Sequence, residues 1–95
     1  MKIYLTAIIK AKPEFKTDVL TLLNNMVMES PKEKACELYQ LHQSNDDENT
    51  FVFYEIWENQ IGLDFHNQQP YLQEFVKIID EKLQEKPIIY KTKLV

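Results

Sequence analysis

The hydrophobic positions of this chain switch between the spacing of a strand and that of a helix. From Lys2 to Lys10, Ile3, Leu5, Ala7 and Ile9 form an apolar face and Tyr4, Thr6, Ile8 and Lys10 a mixed one, which predicts a strand with one covered face. Pro13 then opens a helix with Glu14 in its first turn, and Phe15, Val19, Leu22, Leu23, Met26 and Val27 recur at helical spacing. Ser30-Pro31 ends it, because a residue before proline is pushed out of the α region. A charged link, Lys32 to Lys34, leads to a second predicted strand from Ala35 to Gln43. Strict alternation there groups Cys36 and Leu38 with Gln40 and His42, against Glu37, Tyr39 and Leu41.

Ser44 to Thr50 reads SNDDENT, a turn built from residues that bond their own backbone, and predicts a hairpin. In the third strand Phe51, Phe53, Glu55 and Trp57 alternate with Val52, Tyr54, Ile56 and Glu58, an aromatic and β-branched run suited to a half-buried pleat. Asn59 can cap a short helical segment from Gln60 to Asn67, and Pro70 pre-sets a longer helix to about Gln84. Leu72, Phe75, Val76, Ile79 and Leu83 form its apolar stripe. After Pro87, Ile88 to Val95 alternates as a fourth strand. The order β-α-β-β-α-β predicts an α+β, ferredoxin-like fold: a four-stranded antiparallel sheet with two helices on one face. The other face, to which Tyr4, Thr6, Ile8, Phe51, Phe53 and Trp57 are assigned, is too apolar to leave wet, so a ligand or a second subunit is expected to cover it.

Ninety-five residues are expected to form one domain, residues 1–95. A net charge of −4 argues against nucleic acid and against an anionic membrane surface as partners. No apolar run is long enough to span a bilayer, and the N-terminal segment reads as a strand and not a signal peptide. The single Cys36 cannot form an internal disulfide, so a cytoplasmic location is expected. Gly62 is the only glycine, which excludes a glycine-rich phosphate loop. The two histidines and one cysteine lie far apart, so no metal site is expected.

Candidate chemistry concentrates between Phe51 and Phe75. Glu55 lies between Phe53 and Trp57 on one strand face, where an apolar setting raises a carboxyl pKa towards a general-base range. The alternative is a structural salt bridge or hydrogen bond across the sheet, with Lys91 or Lys93 as partner. Trp57 either stacks on a flat aromatic substrate or packs in the core. His66 either shuttles a proton or caps a helix, while His42 is expected to face solvent. Tyr4, Tyr39 and Tyr90 are possible hydroxyl donors.

Phe51, Glu55, Trp57, His66, Pro70, Tyr71 and Phe75 together resemble the motif of the antibiotic biosynthesis monooxygenase (ABM) domain family, as do Lys12-Pro13 and the Cys36-x-x-Tyr39 run. The resemblance covers nearly the whole chain. It implies a dimeric α+β barrel in which two sheets face one another. It also implies a cofactor-independent monooxygenase acting on a quinol or related phenolic, polyketide-like compound. Glu55 would be base or orienter, His66 proton shuttle and Trp57 a stacking wall, with Phe53, Tyr4, Thr6 and Tyr39 contacting substrate. An isomerase or signal-degrading enzyme of the same fold, and a non-catalytic ligand-binding or stress-associated dimer, are the alternatives. Haem-degrading relatives are disfavoured, because Thr6, His66 and Val76 stand where those resemble Asn, Trp and the haem-ligating His.

Overall fold

A computed structural model describes residues 1–95. The strands are β1 (Ile3–Lys10), β2 (Cys36–Gln43), β3 (Thr50–Trp57) and β4 (Ile88–Thr92). They form one antiparallel sheet in the order β2-β3-β1-β4. Helix α1 (Lys16–Glu29) is entered through a short turn at Pro13–Phe15 and left through another at Ser30–Lys32. After β3 come α2 (Gln60–Asn67), α3 (Pro70–Lys77) and the single turn α4 (Ile79–Lys82).

The register decides which side chains share a face. Ile9 pairs with Phe51, Ala7 with Phe53, Leu5 with Glu55 and Ile3 with Trp57. Phe51, Phe53 and Trp57 therefore lie with the apolar face of β1, under the helices, and not on the open face to which alternation alone assigned them. All three are buried, with Val19, Leu23 and Met26 of α1 and Leu72 and Phe75 of α3 in the same core. Tyr4, Thr6 and Ile8 pair with Ile56, Tyr54 and Val52, and these make up the middle of the open face. Tyr90 and Ile88 of the exposed edge strand β4 extend it.

Strand β2 departs from alternation. Cys36 pairs with Trp57 but Leu38 with Ile56, so a bulge at Glu37 resets the register. Without the extra residue, Leu38 would stand opposite Glu55; with it, Tyr39 does.

The helix predicted from Pro70 to Gln84 breaks at Ile78. There the backbone reaches φ −101° and ψ 0°, and Leu83 is extended. What ends it is tertiary: Leu83 bridges Ala11, and the Gln84 amide donates to the Lys10 carbonyl at 2.8 Å, tying the chain to the end of β1. Strand β4 stops at Thr92, short of the predicted Val95.

Candidate active site

A cavity of about 650 Å³ opens between the helix-side face of the sheet and helices α2 and α3. This lies within the roughly 300–1,000 Å³ of small-molecule sites. Leu5, Ala7, Ile9 and Phe53 form its apolar floor, and Leu63, Leu72 and Phe75 its helical wall. Tyr39, Glu55 and His66 supply the polar groups of its inner end, and Asn67, Gln73, Asp80 and Lys86 lie nearer the rim.

Glu55 is held by β3 with its side chain on the helix side, 4 % exposed. Its Oε1 accepts a hydrogen bond of 2.7 Å from the indole N–H of Trp57, two residues along the same strand face. Burial pushes the Glu55 carboxyl up to about 7, the Trp57 bond opposes the rise, and the charge of Glu33 adds to it. No cation approaches: Lys91 donates instead to Gln60 at 3.2 Å, and Lys93 lies in the exposed C-terminal segment. The ion pair across the sheet is thus absent, because Gln60 engages the Lys91 amine and Lys93 lies beyond the end of β4.

His66 sits on the inner side of α2. Asn59 caps that helix by accepting from the Gly62 amide at 2.8 Å. The close approach of α2 to Ala35, the residue before β2, requires Gly62, since a Cβ there would lie 2.2 Å from the Ala35 Cβ. The imidazole is buried, 2 % exposed, between the Trp57 ring, 4.4 Å away centre to centre, and the edge of Tyr39. Its Nδ1 lies 2.7 Å from Oε2 of Glu33, and its Nε2 lies 3.5 Å from the Tyr39 hydroxyl, at the outer limit of a hydrogen bond. Burial lowers the His66 pKa, with the Glu33 bond and charge pulling the other way, and so favours the neutral ring.

Tyr39 packs its ring on Phe53, 5.0 Å centre to centre. Burial first, then the nearby Glu55 charge, raises its pKa well above the ordinary phenol range, so the hydroxyl keeps its proton at neutral pH. The Tyr71 hydroxyl donates to Oε2 of Glu33, and burial together with that bond raises its pKa too. Cys36 stands beside this group with its thiol pushed up to about 11, chiefly by burial, and is no nucleophile at neutral pH.

Of the residues singled out in the sequence, Glu55, His66, Tyr39 and Phe53 meet at the cavity. Tyr4 and Thr6 do not: they point from the other face of β1, because that strand alternates and its odd-numbered residues face the helices. Trp57 shares the cavity's face of the sheet but does not line it. Its ring is wholly buried behind Glu55 and His66, so it orients the carboxylate instead of forming a stacking wall.

This fold and this stretch of sequence match the family model "Antibiotic biosynthesis monooxygenase" over residues 2–78. The chain belongs to that family. It is 36 % identical over 69 residues to "Uncharacterized protein sll1783" of Synechocystis, a match covering 73 % of this chain and 47 % of that protein. The chain thus spans about half the length of that relative. With "Putative monooxygenase YcnE" of Bacillus subtilis it shares 36 % identity over 74 residues, 78 % of each chain. The solved structure of Rv0793 from Mycobacterium tuberculosis shares the fold, with a TM-score of 0.93 at 21 % identity over 100 % of this chain and 96 % of that one.

For this ABM domain, sequence reasoning missed Glu33 altogether. The residue falls in the charged link between two lysines and reads there as solvated surface, yet its side chain is 6 % exposed. Its partners lie 33 and 38 positions away, beyond any local pattern.

Proposed function

We propose that this ABM domain is a cofactor-independent monooxygenase whose substrate is a quinol or related phenolic compound with a fused, flat ring system. The observation that carries this reading is the cavity of about 650 Å³ whose inner end holds Glu55, a carboxyl raised to about 7 with no cationic partner. Such a group is half ionised at neutral pH and able to take a proton from a phenol or from an acidic ring carbon. The resulting carbanion or enolate reduces oxygen itself. One oxygen atom enters the ring as a quinone carbonyl, the other leaves as water, and the electrons come from the substrate. Apolar walls keep bulk water from the reactive intermediate. Glu55 acts as base at the ring carbon, Trp57 holds its orientation, and His66 with Tyr39 takes the substrate hydroxyl proton and returns it to the departing oxygen. The relative from Bacillus subtilis, itself named "Putative monooxygenase YcnE", supports the reaction class.

Two copies are expected to pair through the open sheet face, where Ile8, Val52, Tyr54 and Ile56 are only partly buried. A reducing, cytoplasmic compartment suits the single unpaired thiol of Cys36.

Oxygen uptake by the purified protein with naphthohydroquinone tests the reading. Glu55→Gln should lower turnover by the ~10²–10⁴-fold typical of a positioned acid–base group. No oxygen uptake with a range of quinols would remove it. Two proton-handling groups at one cavity also suit an isomerase, which would convert a hydroxyketone without consuming oxygen.

A further inference from the structure

Glu33 belongs to no strand or helix, yet it is the residue to which the inner end of the cavity is tied. Its carboxylate reaches inward from the link between the Ser30–Lys32 turn and β2. There it meets His66 from α2 and Tyr71 from α3 on a single oxygen, Oε2. The facing side chains of Glu33 and His66 are 6 % and 3 % exposed, so no solvent competes for the contact. An ionised carboxylate only accepts hydrogen bonds, and a neutral imidazole has one N–H and one lone pair. The ring nitrogen that faces Oε2 at 2.7 Å must therefore carry the proton. The lone pair is then on Nε2, which points to the Tyr39 hydroxyl and the cavity. Turning the ring over would put a carbon in place of each nitrogen and lose both contacts, and Trp57 and Tyr39 pack against it as it stands.

We propose that Glu33 is a positioning residue that fixes His66 as the Nδ1–H tautomer, so that the imidazole meets the cavity as a proton acceptor at Nε2. The consequence for turnover rests on the function proposed above; the tautomer itself does not. A proton from the substrate hydroxyl, directly or by exchange through Tyr39, moves to Nε2. The imidazolium formed keeps its Nδ1–H on Glu33, whose negative charge offsets the new positive one inside a water-poor site. The proton returns from Nε2 by the same path. With the opposite tautomer the cavity would meet an N–H donor, Tyr39 would have to reverse its hydroxyl, and His66 could take no proton there.

Long-range proton–nitrogen NMR on uniformly nitrogen-labelled protein reads the tautomer without any substrate. The chain has only two histidines, and His42→Gln assigns the signals. At neutral pH the expected result is Nδ1 of His66 at the shift of a protonated nitrogen and Nε2 at that of a bare one. Glu33→Ala should lose this pattern, and its kcat with naphthohydroquinone should fall by about 10²-fold with KM little changed. An Nε2–H tautomer in the unaltered protein overturns the proposal, even if Glu33→Ala does not fold. So does a folded Glu33→Ala that retains the Nδ1–H form. If the tautomer behaves as expected but no quinol is consumed, the positioning role stands and the monooxygenase reading falls. If quinol is consumed while Glu33→Ala leaves tautomer and kcat unchanged, the monooxygenase reading stands and the positioning role falls.

Discussion

The indole N–H of Trp57 donates to Oε1 of Glu55 at 2.7 Å, from one strand face and two residues away. It is the hydrogen bond that favours the ionised carboxylate against the burial that disfavours it. Trp57→Phe removes that donor and keeps most of the ring. The Glu55 pKa should then rise above about 7, visible in a titration of the carboxyl carbon resonance. The buried bond should cost about 1–3 kcal/mol in urea unfolding. An unshifted titration would detach Trp57 from the control of Glu55.

Glu55 also makes stability depend on pH with a definite sign. Its carboxyl has a value near 4.5 when unfolded and about 7 when folded. Between these the folded chain keeps a proton that the unfolded chain has released, so stability is highest below the lower value and falls as pH rises through the upper. The loss amounts to about 3 kcal/mol, at about 1.4 kcal/mol for each pH unit. Glu55→Gln should lack this step, so its melting temperature should overtake that of the unaltered protein at pH 8 and not at pH 4. Parallel curves for the two proteins would contradict the raised pKa.

The contact between α2 and Ala35, just before β2, makes a reciprocal prediction. Gly62→Ala places a methyl group 2.2 Å from the Cβ of Ala35, which should destabilise the fold by ~1–3 kcal/mol as overpacking does. Ala35→Gly in the same chain should restore most of that loss. Additive effects in the double variant, measured by thermal melting, would mean that the two residues are not in contact.

The open face predicts assembly. Val52 lies at its middle, partly buried, beside Ile8 of β1 and His42 of β2. Val52→Asp should convert a dimer seen by sedimentation at micromolar concentration into a monomer with an unchanged far-ultraviolet spectrum. A monomer before the substitution would leave the open face to some other cover.

Much of this was legible because local chemistry decided it. The Asn59 cap, Pro70 at a helix start and the alternation of β1 and β3 each follow from residues within a few positions. Within one strand alternation gives two faces, but which face of β3 joins which face of β1 depends on register, set here by Ile9 opposite Phe51. Parity alone therefore misplaced Phe51, Phe53 and Trp57 as a set, and with them the role of Trp57. Cys36 and Tyr39 were separated by a rule that the bulge at Glu37 suspends. The site shows the same division. Glu55 and His66 stood out as polar groups in apolar surroundings, whereas Glu33 stood between lysines and acquires its role only when α2 and α3 fold over it.

The cavity's inner end and part of its rim are encoded in different stretches of chain. The hydrogen-bonded polar groups at its inner end, from Glu33 to Tyr71, lie inside the segment that the family model matches. Several rim residues, Ile79, Asp80, Lys86, Pro87 and Ile89, lie beyond its last matched position, residue 78. On the function proposed above, reactivity and part of admission are encoded apart. Grafting a foreign C-terminal stretch onto this domain would be a way to change its diet while leaving its chemistry intact.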